Sequence, residues 1–353
     1  MTNVQFTNQA SSLSGPAWAD GPATEVLAYG APRSRWHDVR ATGIGGSDAL
    51  AALNLSPYST PYALWLDKTG RRSPKPANAR MEWGNRLEHV AADWFAELEG
   101  KTLGFTGTWR HPAPLFEVVD PCGCGEDMIA AAGHADDCEG YRQTYARWAL
   151  CNPDRYVVGE NAGVEIKVVH PRSADVALWL DGEIPDYPRA QAQWCMGVTG
   201  AAAWYVVAMI DGRPPIWSYE LRDDDLITDM REAAGQMIRD HVYADIAPPA
   251  DASAATTEAL AAAAMSRLSD GGEVDLGVQG WLMLAERRRI KAQQKLLTDQ
   301  LREVENAIKA PLVEAGAEYG LIGGDRRFRL RVGERRAYSV KASTIVELRE
   351  VAK

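Results

Sequence analysis

Two short apolar runs flank a polar turn between residues 154 and 168, and this pattern constrains the chain more than any other. Asn152-Pro153-Asp154 leads into Tyr156-Val157-Val158, the turn reads Gly159-Glu160-Asn161-Ala162-Gly163, and Val164-Glu165-Ile166-Lys167-Val168 follows. Apolar runs separated by Gly and Asn predict a β-hairpin. Side chains alternate faces along a strand, so Val164, Ile166 and Val168 are expected to point into a core and Glu165 and Lys167 away from it. The hairpin folds Asp154 back toward Glu165, and two carboxylates and an ammonium should meet at a sheet edge. Hydrolysis of a phosphodiester with a divalent cation needs this set: carboxylates hold hard Mg²⁺ or Mn²⁺ through oxygen, and a lysine positions or helps deprotonate water. A surface strand bearing an ion pair is the other reading of the bare motif, and the flanks discriminate.

Upstream stand Gly43-Ile44-Gly45-Gly46-Ser47-Asp48-Ala49, Ser56-Pro57-Tyr58, Leu64-Trp65 and Met81-Glu82-Trp83-Gly84-Asn85-Arg86-Leu87-Glu88. Downstream run Tyr187-Pro188-Arg189-Ala190-Gln191-Ala192-Gln193-Trp194, Met196-Gly197-Val198-Thr199-Gly200 and Ala203-Trp204-Tyr205-Val206-Val207. In this order the stretches resemble the YqaJ family of phage-type recombinases, relatives of phage lambda exonuclease within the PD-(D/E)XK nuclease superfamily, from about residue 33 to about residue 245.

The resemblance implies an α/β fold: a restriction-endonuclease-like core with a mixed central sheet flanked by helices. It implies metal-dependent DNA hydrolysis, as a 5′-to-3′ exonuclease on double-stranded DNA ends that leaves a 3′ single strand for a single-strand annealing protein. Asp154, Glu165 and Glu88 match the carboxylates that hold one or two Mg²⁺ or Mn²⁺, Lys167 the catalytic lysine, and Gln191 a glutamine that supports lysine and substrate. Arg40, in Trp36-His37-Asp38-Val39-Arg40, and Ser47 match groups that receive a terminal 5′-phosphate. Asn152 departs from the small hydroxyl or alanine residue common two positions before the aspartate, though its amide can still donate to phosphate. An endonuclease, a nuclease of other polarity like the CRISPR-associated members, and a non-catalytic DNA-end binding module are the rival readings. The intact Asp154, Glu165 and Lys167 set argues against the last. A homo-oligomer, as a trimer, is implied only by analogy with the lambda enzyme.

Periodicity bears on some of these positions independently. Residues 81–98 read as a helix with Trp83, Leu87, Val90, Ala91, Trp94 and Leu98 at spacings of three and four. Glu88 falls on the margin of that stripe, where it is either a cleft carboxylate or a solvated helix glutamate. Gln191 is either a site residue or part of the polar face of the helix before Gly200. The glycines from Gly43 to Gly46 precede a predicted helix over 48–53, so their amides suit either a phosphate cradle or plain loop.

With 353 residues and 46% hydrophobic content, one large domain plus an appendage is expected. No apolar run approaches a membrane span, so no membrane association is expected. The first thirty residues lack a charged start with an apolar core, and the five cysteines are odd in number; both favour a reducing cytoplasm without disulfides. A net charge of −10 disfavours sequence-blind coating of DNA. The cations do cluster, at Arg33, Arg35 and Arg40, at Arg71, Arg72, Lys75, Arg80 and Arg86, and from Arg326 to Arg336, which permits a locally positive channel.

Residues 1–30 read as a flexible leader, 31–246 as the nuclease domain, 247–275 as a linker with a weak helix, and 276–353 as a long helix plus β-hairpin tail. Within the domain, residues 117–146 form an insertion holding Cys122, Cys124, His134 and Cys138. Such a set closes a tetrahedron around a structural Zn²⁺; an exposed loop with incidental thiols is the plain alternative, and an iron–sulfur cluster a weaker one. Ile290, Leu297, Leu301, Val304 and Ile308 share one helical face that Pro311 should end, and this face suits either oligomerisation or packing on the nuclease domain. Phe328, Leu330 and Val332 alternate with Arg327, Arg329 and Arg331, a basic ribbon for nucleic acid or a solvated strand edge.

Overall fold

The computed structural model describes residues 14–73, 78–112, 148–267, 272–322 and 326–329, in two units, Met1–Arg267 and Leu268–Lys353. In chain order the first holds β1 (Thr24–Leu27), α1 (Arg33–Ala41), α2 (Gly46–Ala52), α3 (Pro61–Lys68), α4 (Ala79–Glu99), β2 (Leu103–Gly104), β3 (Thr108–Arg110) and β4 (Leu150–Cys151). Then come β5 (Arg155–Val157), β6 (Ala162–Val169), α5 (Val176–Leu180), α6 (Asp186–Thr199), β7 (Ala203–Ile210), β8 (Ile216–Leu221), α7 (Asp224–Met237) and α8 (Ala254–Arg267).

Every residue of β7 is buried, the signature of a strand covered on both faces. Trp204, Val206, Ala208 and Ile210 enter one core, with Ala192, Trp194 and Met196 of α6; Ala203, Tyr205, Val207 and Met209 enter another, with Ala91, Ala92 and Phe95 of α4. The sheet order is β2-β5-β6-β7-β8. Strands β6 and β7 run parallel, joined through α5 and α6, and the other pairs are antiparallel. This is the mixed central sheet flanked by helices that the PD-(D/E)XK resemblance implies. A second sheet, β1-β3-β4, lies in the same unit.

Several expectations are corrected. The hairpin forms as β5 and β6, but β6 is the middle strand of five, so its charged pair lies within the sheet rather than at an edge. Helix α4 starts at the Asn78 cap, whose side chain accepts from Met81 N–H, and ends at Gly100 with φ 64°, but its buried stripe is rotated. Ala91, Ala92 and Phe95 are buried while Trp83 is 60% exposed and Val90 and Leu98 are exposed, because small side chains at 91 and 92 allow closer approach to the sheet. The leader is docked from residue 14 onward: Trp18 is buried and stacks on Trp204 with centroids 5.7 Å apart, Tyr156 donates its hydroxyl to Ser14 O, and β1 pairs with β3. The stretch expected as a linker with a weak helix holds α8, within the first unit, which runs to Arg267. Helix α8 buries Ala259 and Ala263, and its Thr256 hydroxyl bonds that of Thr60 at 2.8 Å.

The second unit holds α9 (Gly277–Glu314), β9 (Tyr319–Ile322) and β10 (Arg326–Arg329), the two strands antiparallel. Helix α9 passes through Pro311 and ends at Glu314, so the stop expected at the proline falls three residues later. The zinc set, Cys122, Cys124, His134 and Cys138, lies outside the described residues, as do Leu330, Arg331 and Val332. No helix among the described residues is long and apolar enough to cross a membrane.

Gly163 packs under Trp204, and an added Cβ would collide with the indole ring. Trp204 is held by its stack on Trp18 and has nowhere to retreat. Gly163→Ala should therefore destabilise the fold by about 1–3 kcal/mol, the usual cost of overpacking, read as a lower denaturant midpoint at unchanged slope.

Candidate active site

The register of β5 on β6 sets Arg155 opposite Val164 and Tyr156 opposite Gly163, so Asp154 falls across from Glu165. Asp154 Oδ2 accepts the Ile166 N–H at 2.7 Å. Glu165 is only 7% exposed, and Lys167 Nζ donates to its Oε1 at 2.5 Å. Burial works against the Lys167 ammonium, but the Glu165 and Asp154 carboxylates outweigh it and hold its pKa above the ordinary lysine range. Lys167 therefore carries a proton at neutral pH and acts as a donor and point charge. Its ammonium sits 5.9 Å from the Tyr187 ring, which meets Tyr58 edge-on at 5.4 Å.

Burial, and then the charges of Glu165 and Glu88, push the Asp154 carboxyl well above its ordinary range. Glu88 is held from α4 by Arg155, whose Nη1 donates to Glu88 Oε1 at 3.0 Å and to Asp154 O at 2.5 Å. The buried Arg155 guanidinium also lies 4.2 Å from the Phe105 ring centre.

Asp154 and Glu165 line a cavity of about 190 Å³ together with Trp36, Arg40, Ser47, Asn152, Gln191 and Cys195. Glu88 lines a neighbouring cavity of about 440 Å³, which shares Trp36, Asn152 and Asp154. Asn152 Oδ1 accepts from Thr108, leaving its NH₂ as the donor group. Of the two glutamines in the α6 motif, Gln193 is spent on Leu221 O and Asp223 N–H. Gln191 Oε1 is buried with no partner among the described residues.

The donor chemistry suits a hard cation: three carboxylates and a buried orphan amide oxygen, with one carboxyl perturbed by the charges of the other two. They are not gathered into one shell. Among the described residues no three His, Cys, Asp or Glu side chains come together as a metal-holding group, because Glu165 leans to Lys167 and Glu88 to Arg155.

On the far side of the first cavity, Arg40 Nη2 donates to Ser47 Oγ and to Asp48 Oδ1, both at 2.8 Å, and its guanidinium lies 5.1 Å from the Trp36 ring centre. Lys68 Nζ donates to Asp48 Oδ2 and to Arg40 O, also at 2.8 Å. Arg40 is thus already held in an ion pair with Asp48, in the wall of the cavity rather than on open surface. The Gly45 N–H donates to Asp48 Oδ2, so this amide of the expected phosphate cradle is already engaged. Gly43 answers a packing need, because a Cβ there would collide with Trp148 O.

Sequence reasoning missed Arg155, Lys68, Tyr187 and Cys195. Arg155 carried a signal, since an arginine opening an apolar strand must find a carboxylate if buried. Lys68 carried none, because its partner lies 20 residues away in a different helix. Cys195 was read only for redox compartment; its thiol is pushed well above the ordinary range by a hydrogen bond with Cys151 and by burial.

Burial acts to raise the Asp48 carboxyl, yet Arg40 and Lys68 outweigh it and hold it below the ordinary aspartate range. A carboxyl depressed on folding contributes stability that is full above the unfolded pKa, about 4, and is lost as pH falls through the folded value. Asp48→Asn strands the buried Lys68 ammonium and should cost about 3–5 kcal/mol at pH 7. Denaturation measured against pH should show the gap between wild type and variant closing below about pH 4.

A profile of the YqaJ-like viral recombinase domain matches residues 35–202. The Bacillus subtilis protein YqaJ is 31% identical over 305 residues, covering 85% of this chain and 84% of that protein. A protein of African swine fever virus is 34% identical over 89 residues, 22% of this chain and 26% of the viral protein. Among solved structures, LHK-Exo, an alkaline exonuclease from Laribacter hongkongensis, is 18% identical with a TM-score of 0.42, covering 60% of this chain and 94% of that one. A crystal structure of LHK-Exo with dAMP gives 0.43. The likeness to YqaJ over 85% of this chain, with the profile lying over the hairpin, α4 and α6, makes this chain a member of the YqaJ-like viral recombinase family.

Proposed function

We propose that this protein is a divalent-metal-dependent deoxyribonuclease that digests linear duplex DNA from its ends, 5′ to 3′, and leaves a 3′ strand for a single-strand annealing protein. The observation that carries the reading is the meeting of Asp154, Glu165 and Lys167 on one face of the β5–β6 hairpin, beside a cavity whose opposite wall bears Arg40 and Ser47. Family membership supports the recombination context. Asp154, Glu165 and Glu88 would hold Mg²⁺ or Mn²⁺, which when bound lowers the pKa of water and stabilises charge on phosphate oxygens.

The chain's own residues supply the rest of the chemistry. Lys167, kept protonated, orients the attacking water and stabilises charge at the scissile phosphate. Gln191 Oε1 offers an acceptor to that water. Arg155, bonded both to Glu88 and to the Asp154 carbonyl, limits the rotamers open to Glu88. Arg40, Ser47 and the Asn152 NH₂ grip a terminal 5′-phosphate, an arginine being a forked donor matched to phosphate oxygens. Each cleavage would then present a new 5′-phosphate to the same grip.

Digestion of linear duplexes bearing 5′-phosphate or 5′-hydroxyl ends, with Mg²⁺ or with EDTA, tests the reading. Wild-type protein should degrade the 5′-phosphorylated strand with Mg²⁺ and lose activity in EDTA. Lys167→Ala and Glu165→Gln should lose well over tenfold, about 1.4 kcal/mol of barrier per decade; each breaks the buried Glu165–Lys167 pair, so denaturant unfolding run alongside checks that the variant is folded under the assay conditions. No cleavage of any end by the wild type would remove the nuclease reading.

Arg40→Ala should shrink the preference for 5′-phosphorylated over 5′-hydroxyl ends and leave metal dependence unchanged. The same ratio of rates for variant and wild type would reduce Arg40 to its ion pair with Asp48.

A further inference from the structure

Arg40, Asp48 and Lys68 form a linked set of which only Arg40 lines the cavity beside Asp154 and Glu165. Asp48 and Lys68 line a further cavity of about 280 Å³, which Arg40 and Trp36 share. Asp48 stands between the two cations: its Oδ1 accepts from Arg40 Nη2 and its Oδ2 from Lys68 Nζ, each at 2.8 Å. The three side chains are unequally sealed, that of Arg40 being 38% exposed, that of Asp48 11% and that of Lys68 5%. Lys68 also donates to Arg40 O, so it ties down the backbone from which the Arg40 side chain springs. Burial lowers the Lys68 pKa, Asp48 works against that, and the Arg40 charge adds to the lowering. The two cations therefore compete for one carboxylate.

We propose that Lys68 is a positioning residue for the 5′ end: it keeps Asp48 paired and the Arg40 backbone fixed, so that the Arg40 guanidinium can turn from Asp48 to a terminal phosphate. The inference deepens the end-binding nuclease reading and rests on it. A buried carboxylate that loses its only cation is costly. With Lys68 Nζ and the Gly45 N–H both on Oδ2, Asp48 stays partnered when Arg40 departs and gives up one charge-assisted bond at Oδ1. The arriving phosphate returns that bond to the guanidinium, whose fork matches phosphate oxygens. Arg40 is also the member free to move, being the most exposed of the three. Lys68 does not take the phosphate itself, since it does not line that cavity and its ammonium is engaged on Asp48 and on Arg40 O. Without Lys68, Asp48 would keep Arg40 as its remaining cation among the described residues and would hold it in place.

Two measurements on the full chain test this. One is the affinity for short duplexes with 5′-phosphate or 5′-hydroxyl ends, read by fluorescence anisotropy in EDTA so that no strand is cut. The other is the rate of digestion of the same ends with Mg²⁺. Lys68→Met keeps the stem and removes the ammonium, and should cut the preference for 5′-phosphate by about fivefold or more in both. Lys68→Gln, which keeps a donor but no charge, should do the same and serves where the methionine variant does not fold. Lys68→Met combined with Asp48→Asn removes cation and carboxylate together, an exchange that buried pairs tolerate. It should return the preference to within about twofold of wild type, because no charge then holds Arg40 back. A lysine that served only the fold would weaken both kinds of end alike, and the second substitution would restore nothing. An unchanged preference in single variants shown to be folded by denaturant unfolding would overturn the inference. So would a double variant with a preference as low as theirs, or a wild type that binds both ends equally. With no digestion in Mg²⁺ the nuclease reading falls by itself, and the affinities alone decide for or against the role of Lys68.

Discussion

A carboxylate on the middle strand of a sheet, beside a strand buried on both faces, is tolerable only with a cation next to it. Lys167, two residues along the same face, supplies that cation, and Asp154 is placed against the pair by the hairpin ladder. An ion pair at about 4 Å gains about 4 kcal/mol at an effective dielectric of about 20, while desolvation costs several kcal/mol per ion. Folding alone therefore gives little reason to keep charges here when Val or Ile would serve. The rest of the site is organised around this cost. Arg155 offsets Glu88 from the α4 side, and Gly163 and the small residues of α4 bring the flanking layers close enough to exclude water.

The part of the fold written most clearly in the sequence was the part governed by local periodicity. The β5–β6 hairpin announced itself through its Gly/Asn turn and the apolar runs on either side. What periodicity could not fix was phase. Helix α4 has apolar residues around much of its circumference, and which of them faced the core was settled by the closeness Ala91 and Ala92 permit, a tertiary fact. Trp18 shows the same limit: in a Ser/Gly/Pro-rich leader one large aromatic outweighs its neighbours, because stacking on Trp204 buries more surface than the surrounding residues lose in freedom. Helix α8 was obscured by its alanine-rich composition, which reads as linker until a partner surface in α3 is known.

Side-chain pairings divide along similar lines. Asp154, Glu165, Glu88, Gln191, Arg40 and Ser47 were visible as motif positions, but not what each would touch. The two glutamines of α6 stand two residues apart and are identical in type. Only packing shows that Gln193 ties α6 to β8 and the start of α7 while Gln191 turns an acceptor toward the cavity.

Charge pairing also changes how the acidity of the chain bears on its proposed substrate. The cationic clusters in the sequence suggested a positive channel offsetting the net charge of −10. Three members of those clusters are already paired, Arg40 with Asp48, Arg71 with Asp245 and Arg72 with Asp67, and outside the clusters Lys68, Arg155 and Lys167 are paired with Asp48, Glu88 and Glu165. Non-specific affinity for a duplex grows with the number of phosphates neutralised, and cations already neutralised by carboxylates contribute little to it. Under the proposed function such a protein would gain its hold on DNA from a few directed contacts, with Ser47, Asn152 and an Arg40 that turns from Asp48 to a terminal phosphate lining the cavity beside Asp154. Under the proposed reading, those contacts exist only where a strand end enters the cavity, so the acidic exterior works with the site by disfavouring duplex that has no end to offer.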